Sequence, residues 1–365
     1  MVRKGFVALA ACLALSACGQ KAADKPQILH LYNWSDYVDP QLLTDFTKET
    51  DIKVVYDTFD SNEVLETKML QGQTGYDLVV PSNHNIPRYI TAGAIATLDK
   101  TKLKNLANLW PKIMAHMEPF DPGQKHTIPY MWGTIGIGYN PEALAKRLPG
   151  VKIDSWAIAF DPKILAKLKD CGVYWLDASE DMYAVSLNYL GKNPNSTAIA
   201  DYQAATDMMM AARPNVRKFH SSEYINALAN GDICLAIGYS GDILQAKSRA
   251  EEAGGKVKVE YAIPKEGSQV WFDVFAIPAD APNPDVAYKF LDFMLRPAVI
   301  AKASNFTKYA NANQAATPLV EASVRDNPNV YPPPQVFDRL FVTKAKDQAL
   351  VREVNRQWTH VQTGQ

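Results

Sequence analysis

Short apolar runs alternate with amphipathic stretches along most of the chain. Ile28 to Tyr32 reads as a strand. Pro40 to Thr50 reads as a helix with Leu42, Leu43 and Phe46 on one face. Asp39 stands where a cap is needed, and Pro40 fits the first helical position. Ile52 to Tyr56 is the next strand, and Asn62 to Gln71 the next helix, with Val64, Leu65 and Leu70 as its apolar residues. Tyr76 to Pro81 reads as a buried strand running into a loop. This alternation predicts an α/β protein with a parallel sheet covered by helices. In such sheets ligands sit beyond the carboxyl ends of the strands, where Trp34 to Tyr37 and Ser82 to His84 both fall.

Tyr130 to Asn140 is Gly-rich and extended. No Lys-Ser/Thr pair follows it, and Tyr139-Asn140-Pro141 does not open a helix onto a phosphate, so it reads as a hinge strand rather than a nucleotide loop. A second strand–helix region runs from about Val151 to Ile263. Val270 to Pro278 is extended, Pro284 to Leu295 helical, and Tyr309 to Asn313 a polar linker before a helical tail. The 365 residues exceed what one core usually holds, so two lobes are expected.

The N-terminus has the form of a targeting segment. Arg3 and Lys4 precede an apolar run from Phe6 to Ala17, too short to span a bilayer. It ends in Leu15-Ser16-Ala17-Cys18-Gly19, which resembles a bacterial lipobox. Residues 1–17 then form the signal, Cys18 takes the lipid, and 18–27 are a tether; the alternative is a plain secretory signal cut nearby. Either reading sends the chain out of the cytoplasm, to the periplasm or cell surface. Cys171 and Cys234 remain there as a disulfide candidate or as two unrelated buried thiols.

The formal charge of −1 becomes −3 once Arg3 and Lys4 leave (−1 − 2 = −3). With no basic patch, nucleic acid is not an expected partner. The histidines His30, His84, His116, His126, His220 and His360 show no metal-ligand spacing, so neither metal nor cofactor is expected. Gly238-Tyr239-Ser240-Gly241 misses the hydrolase nucleophile turn by one residue.

Clusters of aromatic and acidic residues recur near strand ends. Trp34-Ser35-Asp36-Tyr37 follows the first strand. Glu180 and Asp181 follow Tyr174-Trp175, Tyr239 precedes Asp242, and Trp271 shares a strand face with Asp273. Tyr309 opens the late linker. Ring faces attract an organic cation and stack on its methylenes, while carboxylates accept the ammonium hydrogens. A linear molecule with an ammonium at each end suits such a set.

Several long stretches are similar to the polyamine-binding proteins of bacterial ABC importers, especially the putrescine-binding branch. They include Tyr32 to Tyr37, Phe59 to Glu66, Tyr76 to Ser82 and Pro129 to Trp132. Leu187 to Lys192, Ala229 to Cys234 and Tyr309 to Asn313 complete the set. The resemblance implies a type II periplasmic-binding fold, whose two α/β lobes close on ligand around a hinge and dock on permease subunits. The lobes are expected at 28–134 with 272–312, and at 135–271 with 313–365. Trp34, Ser35, Asp36, Tyr37 and Ser82 are implied as ligand contacts from one lobe. Asp181, Tyr239, Asp242, Trp271, Asp273 and Tyr309 are implied from the other lobe and the hinge, and Cys171 and Cys234 as a disulfide.

Asp181 stands where this family usually has Glu, and Tyr239 where the putrescine branch has Trp. His84 replaces Ser or Tyr and is expected to line the pocket as a neutral ring. Trp271 is like the spermidine-preferring branch and Ala178 like the putrescine branch, so both polyamines are expected ligands. The leading reading is a monomeric solute-binding lipoprotein that delivers polyamines to an ABC permease and touches the membrane only through its anchor. A polyamine sensor and an enzyme acting on amines are the alternatives.

If the lipobox reading holds, Cys18→Ala abolishes membrane association. Fractionation and N-terminal mass spectrometry check this. An unmodified N-terminus on the wild type rules out acylation.

Overall fold

In the computed structural model, which describes residues 27–365, the first strands pair in parallel. β1 (Ile28–Trp34) lies between β2 (Lys53–Phe59) and β3 (Leu78–Val79). The signal segment, Cys18 and nearly all of the tether lie outside the described residues.

The helix Pro40–Thr50 covers this sheet. Asp39 accepts from the Gln41 amide at its start, and Phe46 packs edge-on against Phe290 and Phe293. The helix Asn62–Gln71 departs from expectation in its buried face. Leu65 and Met69 are buried, whereas Val64 and Leu70 are 48% and 45% exposed. Its apolar stripe is one residue wide, spaced i to i+4, and narrower than composition implied.

The sheet is mixed rather than parallel. β4 (Thr127–Tyr139) and β9 (Ser268–Ala276) are antiparallel, and β9 is also antiparallel to β3. The chain passes into its second half along β4 and returns along β9, so the two must run in opposite directions. β4 belongs to both wings of the sheet. Thr127 to Thr134 pairs with β9; Ile135 to Tyr139 pairs with β7 (Leu235–Tyr239) and, over its last residues, with β8 (Glu260–Ala262). The second wing continues from β7 through β5 (Val173–Trp175) to β6 (Lys218–Phe219). The short strand β11 (Leu340–Phe341) joins β9 at Ser268.

Tyr309 to Asn313 is a buried segment rather than a polar linker. Within it β10 (Ala310–Asn311) adds to β4 beside Trp132 and Met131. Its polar side chains point inward to partners: Asn311 Nδ2 donates to Ser304 Oγ at 2.8 Å and Asn313 Nδ2 to the Leu295 carbonyl at 2.8 Å. Satisfied amides can occupy a core, so their polarity was a poor guide to exposure. The turn Gln314–Leu319 packs on the helix Pro297–Thr307 and on Leu106–Asn108. The helix Gln348–Thr363 packs on helices Ser179–Tyr189 and Ile199–Ala212.

A disulfide joins Cys171 and Cys234, just ahead of β5 and β7. It closes a loop with a sequence separation of 63 residues. Reduction is expected to lower the unfolding free energy by about 4 kcal/mol, the chain-entropy value for such a loop. Urea unfolding with and without reductant measures it. Coincident curves would show that the tie adds no stability.

Candidate functional site

The strand ends of both wings meet around a narrow cleft. Its space not filled by protein atoms amounts to about 510 Å³, part of it open to solvent. The first wall comes from the turn after β1. Trp34 packs on Phe59 at 4.5 Å and donates its indole N–H to the Val80 carbonyl at 2.8 Å. Ser35 lines the cleft beside it. Tyr37 is buried, and its ring meets those of Tyr130 and Tyr309 edge-on at 5.4 and 5.3 Å.

Asp36 does not join them. Its φ of 54° turns the side chain out of the cleft, where it is exposed and pairs with Arg249 at 2.8 Å. Of the four residues of this run implied as ligand contacts, Asp36 is the one that does not line the cleft. Glu180 is also elsewhere, between Arg88 at 3.1 Å and Lys346 at 2.8 Å.

The floor is built by β9 crossing β4. Alternation puts Trp271 and Asp273 on the cleft side of β9, as their spacing predicts. The Trp271 ring stands edge-to-face with Tyr239 and Tyr309, at 5.9 and 5.2 Å. Glycines make room for these rings. A Cβ on Gly133 would lie 2.8 Å from the Trp271 ring, and one on Gly241 would lie 2.4 Å from Tyr309. Much of the Gly-rich character near the hinge is thus space for aromatic walls.

Three buried carboxylates face this space, besides the partly exposed Asp60. Asp273 accepts from Ser82 Oγ at 2.6 Å, with the Tyr37 hydroxyl nearby. Asp242 accepts from the hydroxyls of Tyr224 at 2.6 Å and Tyr309 at 2.8 Å. Asp181 accepts from Gln269 Nε2 at 2.7 Å and the Tyr239 hydroxyl at 2.8 Å. All three are buried, and none forms a salt bridge among the described residues. Burial pushes Asp273 up to about 8 and Asp242 up to about 6, against the hydrogen bonds that favour their charged forms. Neighbouring acids add to both rises: Asp181 and Asp242 raise Asp273, and Asp36, outside the cleft, raises Asp242. His84 is buried at the cleft wall, and burial lowers its pKa, so the ring is neutral there.

Phe59, Asp60, Asn62, Ser221 and Ser222 also line the cleft, and sequence reasoning missed them. Phe59 to Asn62 lies at the end of β2, the position that drew attention to residues 34–37, so the same rule could have found it. Ser221 and Ser222 follow a strand of two residues, too short to leave a pattern. Among the described residues no group of three or more His, Cys, Asp or Glu could hold a metal ion. The arrangement offers acceptors and ring faces to a cation.

Residues 41–332 match the family model described as bacterial extracellular solute-binding protein. The chain is 52% identical to the putrescine-binding periplasmic protein PotF of Escherichia coli (strain K12), over 98% of this chain and 96% of that protein. It is 47% identical to the putrescine-binding periplasmic protein SpuD of Pseudomonas aeruginosa (strain UCBPP-PA14), over the full length of both. The structure of a putative spermidine/putrescine ABC transporter from Listeria monocytogenes superposes with a TM-score of 0.84, at 34% identity, covering 93% of this chain and 100% of that one.

The raised acids give a sign to the pH dependence of stability. Asp273 and Asp242 stay protonated in the folded protein above the pH at which an unfolded aspartate ionises. The folded state therefore binds more protons between about pH 4 and pH 8, and their contribution falls as pH rises through that window. Urea midpoints of ligand-free protein measured from pH 5 to 8 should fall less steeply in Asp273→Asn than in wild type. Parallel profiles would mean that Asp273 titrates as an ordinary carboxyl.

Proposed function

The chain belongs to the bacterial extracellular solute-binding proteins, and we propose that it captures polyamines, putrescine and spermidine, in the periplasm and delivers them to an ABC permease. The observation that carries this reading is the set of three buried acids without cationic partners, Asp181, Asp242 and Asp273, between aromatic walls. Burying an ionised carboxylate without a counter-charge is costly, so an acid set of this kind favours a cationic ligand. Separated acids with rings between them suit a linear molecule that carries its charges apart and its methylenes in the middle. The names of the relatives support the same ligand class.

In this reading Trp34, Tyr37, Trp271 and Tyr309 enclose the methylenes, while Asp181, Asp242 and Asp273 take ammonium hydrogens. Ser35, Ser82, His84 and Tyr239 complete the wall, with His84 neutral so that it does not repel the ligand. Asp36 acts at the mouth through Arg249 rather than on the ligand. The lobes that close are 28–134 with 272–312, and 135–271 with the C-terminal helix; residues 314–319 travel with the first. No catalytic step is part of the proposal. The chain works as a monomer, anchored through Cys18.

Calorimetric titration with putrescine and spermidine tests the reading. Asp242→Asn and Asp273→Asn should each lower affinity by about 2–5 kcal/mol, the range for removing one partner of a buried charge pair. Wild-type affinity should rise between pH 6 and 8, because an ammonium displaces the proton that Asp273 holds in the empty site. Wild type that binds neither amine, or variants with unchanged affinity, would end this assignment.

A further inference from the structure

The turn that carries Ser221 and Ser222 to the cleft is held by a histidine that does not itself line it. His220 follows β6, and its backbone amide donates to the Trp175 carbonyl at 2.9 Å. Its ring folds back over the turn that it begins. Nδ1 accepts from the backbone amides of Ser222 at 3.1 Å and Glu223 at 3.2 Å, with the Ser222 hydroxyl at 3.4 Å. Two N–H donors on Nδ1 require a free lone pair there. The partners therefore assign the proton to Nε2, which lies 3.2 Å from Glu223 Oε1.

What this turn holds bears on the cleft. The Ser221 hydroxyl accepts from the Asp177 amide at 3.1 Å, and the helix Tyr224–Asn230 begins directly after Glu223. Glu223 makes no side-chain cap for that helix. Tyr224 is fully buried; its hydroxyl donates to Asp242 at 2.6 Å and accepts from the Tyr239 amide at 3.1 Å. One imidazole nitrogen thus fixes the backbone that presents two cleft serines and a donor to Asp242.

The charges around the ring make an opposite demand. Glu223 is paired with Lys218 of β6. Asp60 follows β2 in the other wing, lines the cleft, and comes within 4.0 Å of Nδ1. The amides need the Nδ1 lone pair, whereas Asp60 attracts a positive ring. The His220 side chain is 25% exposed, so solvent protons reach it. A second proton, on Nδ1, turns that nitrogen from acceptor to donor: both amides lose their partner, and Asp60 is the acceptor that faces it from the other wing. Histidine is the side chain whose charge changes between about pH 5 and 8.

We propose that His220 is a positioning residue that couples proton uptake to release of the cation. Neutral, it fixes the turn and, through Tyr224, the Asp242 carboxylate. Doubly protonated, it frees the turn and sets a positive charge beside Asp60 at the cleft. Both consequences weaken the hold on a cationic ligand. The inference rests on the polyamine reading above for its ligand; the hold of the ring on the turn does not.

Calorimetric titration with putrescine at pH 7.5 and pH 5.5 tests it in wild type, His220→Asn and His220→Leu, with thermal melts to verify folding. Asn supplies an amide oxygen as acceptor in place of Nδ1 and does not titrate. The fall in affinity from pH 7.5 to pH 5.5 should be at least about fivefold larger in wild type than in His220→Asn. Asp273 is present in both and cancels from the comparison. His220→Leu, without an acceptor, should bind about fivefold more weakly than wild type at pH 7.5, and Asn should restore most of that loss. In ligand-free protein, NMR of 15N-labelled histidine, with the His220 signal identified by its absence from His220→Asn, should show the Nε2–H tautomer at pH 7.5. The amide signals of Ser222 and Glu223 should follow the titration of the ring. Equal pH ratios in wild type and His220→Asn, a proton on Nδ1 at pH 7.5, or amides that do not follow the ring would each overturn the proposal. Wild type that binds no putrescine ends the polyamine reading, and the NMR titration then decides by itself whether His220 holds the turn.

Discussion

The constraint on which the site depends is the burial of carboxylates that the protein itself does not neutralise. Asp181, Asp242 and Asp273 each receive two neutral hydrogen bonds or one with a hydroxyl nearby, and no salt bridge. Hydroxyl and amide donors lower the cost of a buried negative charge without cancelling it, as the raised values of Asp273 and Asp242 indicate. A lysine or arginine as their partner would stabilise the empty protein and fill the space beside the acids. The tyrosines do both jobs at once. Tyr239 and Tyr309 present ring faces to the cleft while their hydroxyls fix Asp181 and Asp242 in position.

That arrangement requires the backbone to bring distant segments together. β9 carries Trp271 and Asp273 across β4, and the loop after β3 meets it at the Ser82–Asp273 bridge. The same two strands connect the wings of the sheet, so the floor of the cleft is also the link about which the lobes are joined. Gly133 lies on this link and leaves room for the Trp271 ring. A side chain there would have to displace the indole or separate β4 from the Ser240 helix start.

Much of this was legible in the sequence, because strand ends in α/β sheets carry ligand residues and aromatic-plus-acid clusters are uncommon there. The elements of the first lobe follow from periodicity, with Asp39 and Pro40 marking a helix start. What the sequence concealed has identifiable physical causes. The antiparallel crossing of β4 and β9 is a long-range pairing with no local signature. Asn311 and Asn313 look like linker residues until their partners, Ser304 and the Leu295 carbonyl, are seen. Asp36 shares a four-residue run with three cleft residues, and a single positive φ separates it from them. Local composition does not report a turn of that kind in a non-glycine residue.

The acids between the lobes divide by whether they have a partner across the interface. Asp36 meets Arg249, Glu180 meets Arg88, and Glu63 meets the amide and hydroxyl of Ser179. Each of these contacts joins a residue before β4 to one after it, and so holds the lobes together whatever lies in the cleft. Asp181, Asp242 and Asp273 stand inside that ring with no cation beside them among the described residues. In the proposed function, partnered acids at the rim and unpartnered acids within would give closure and recognition separate groups.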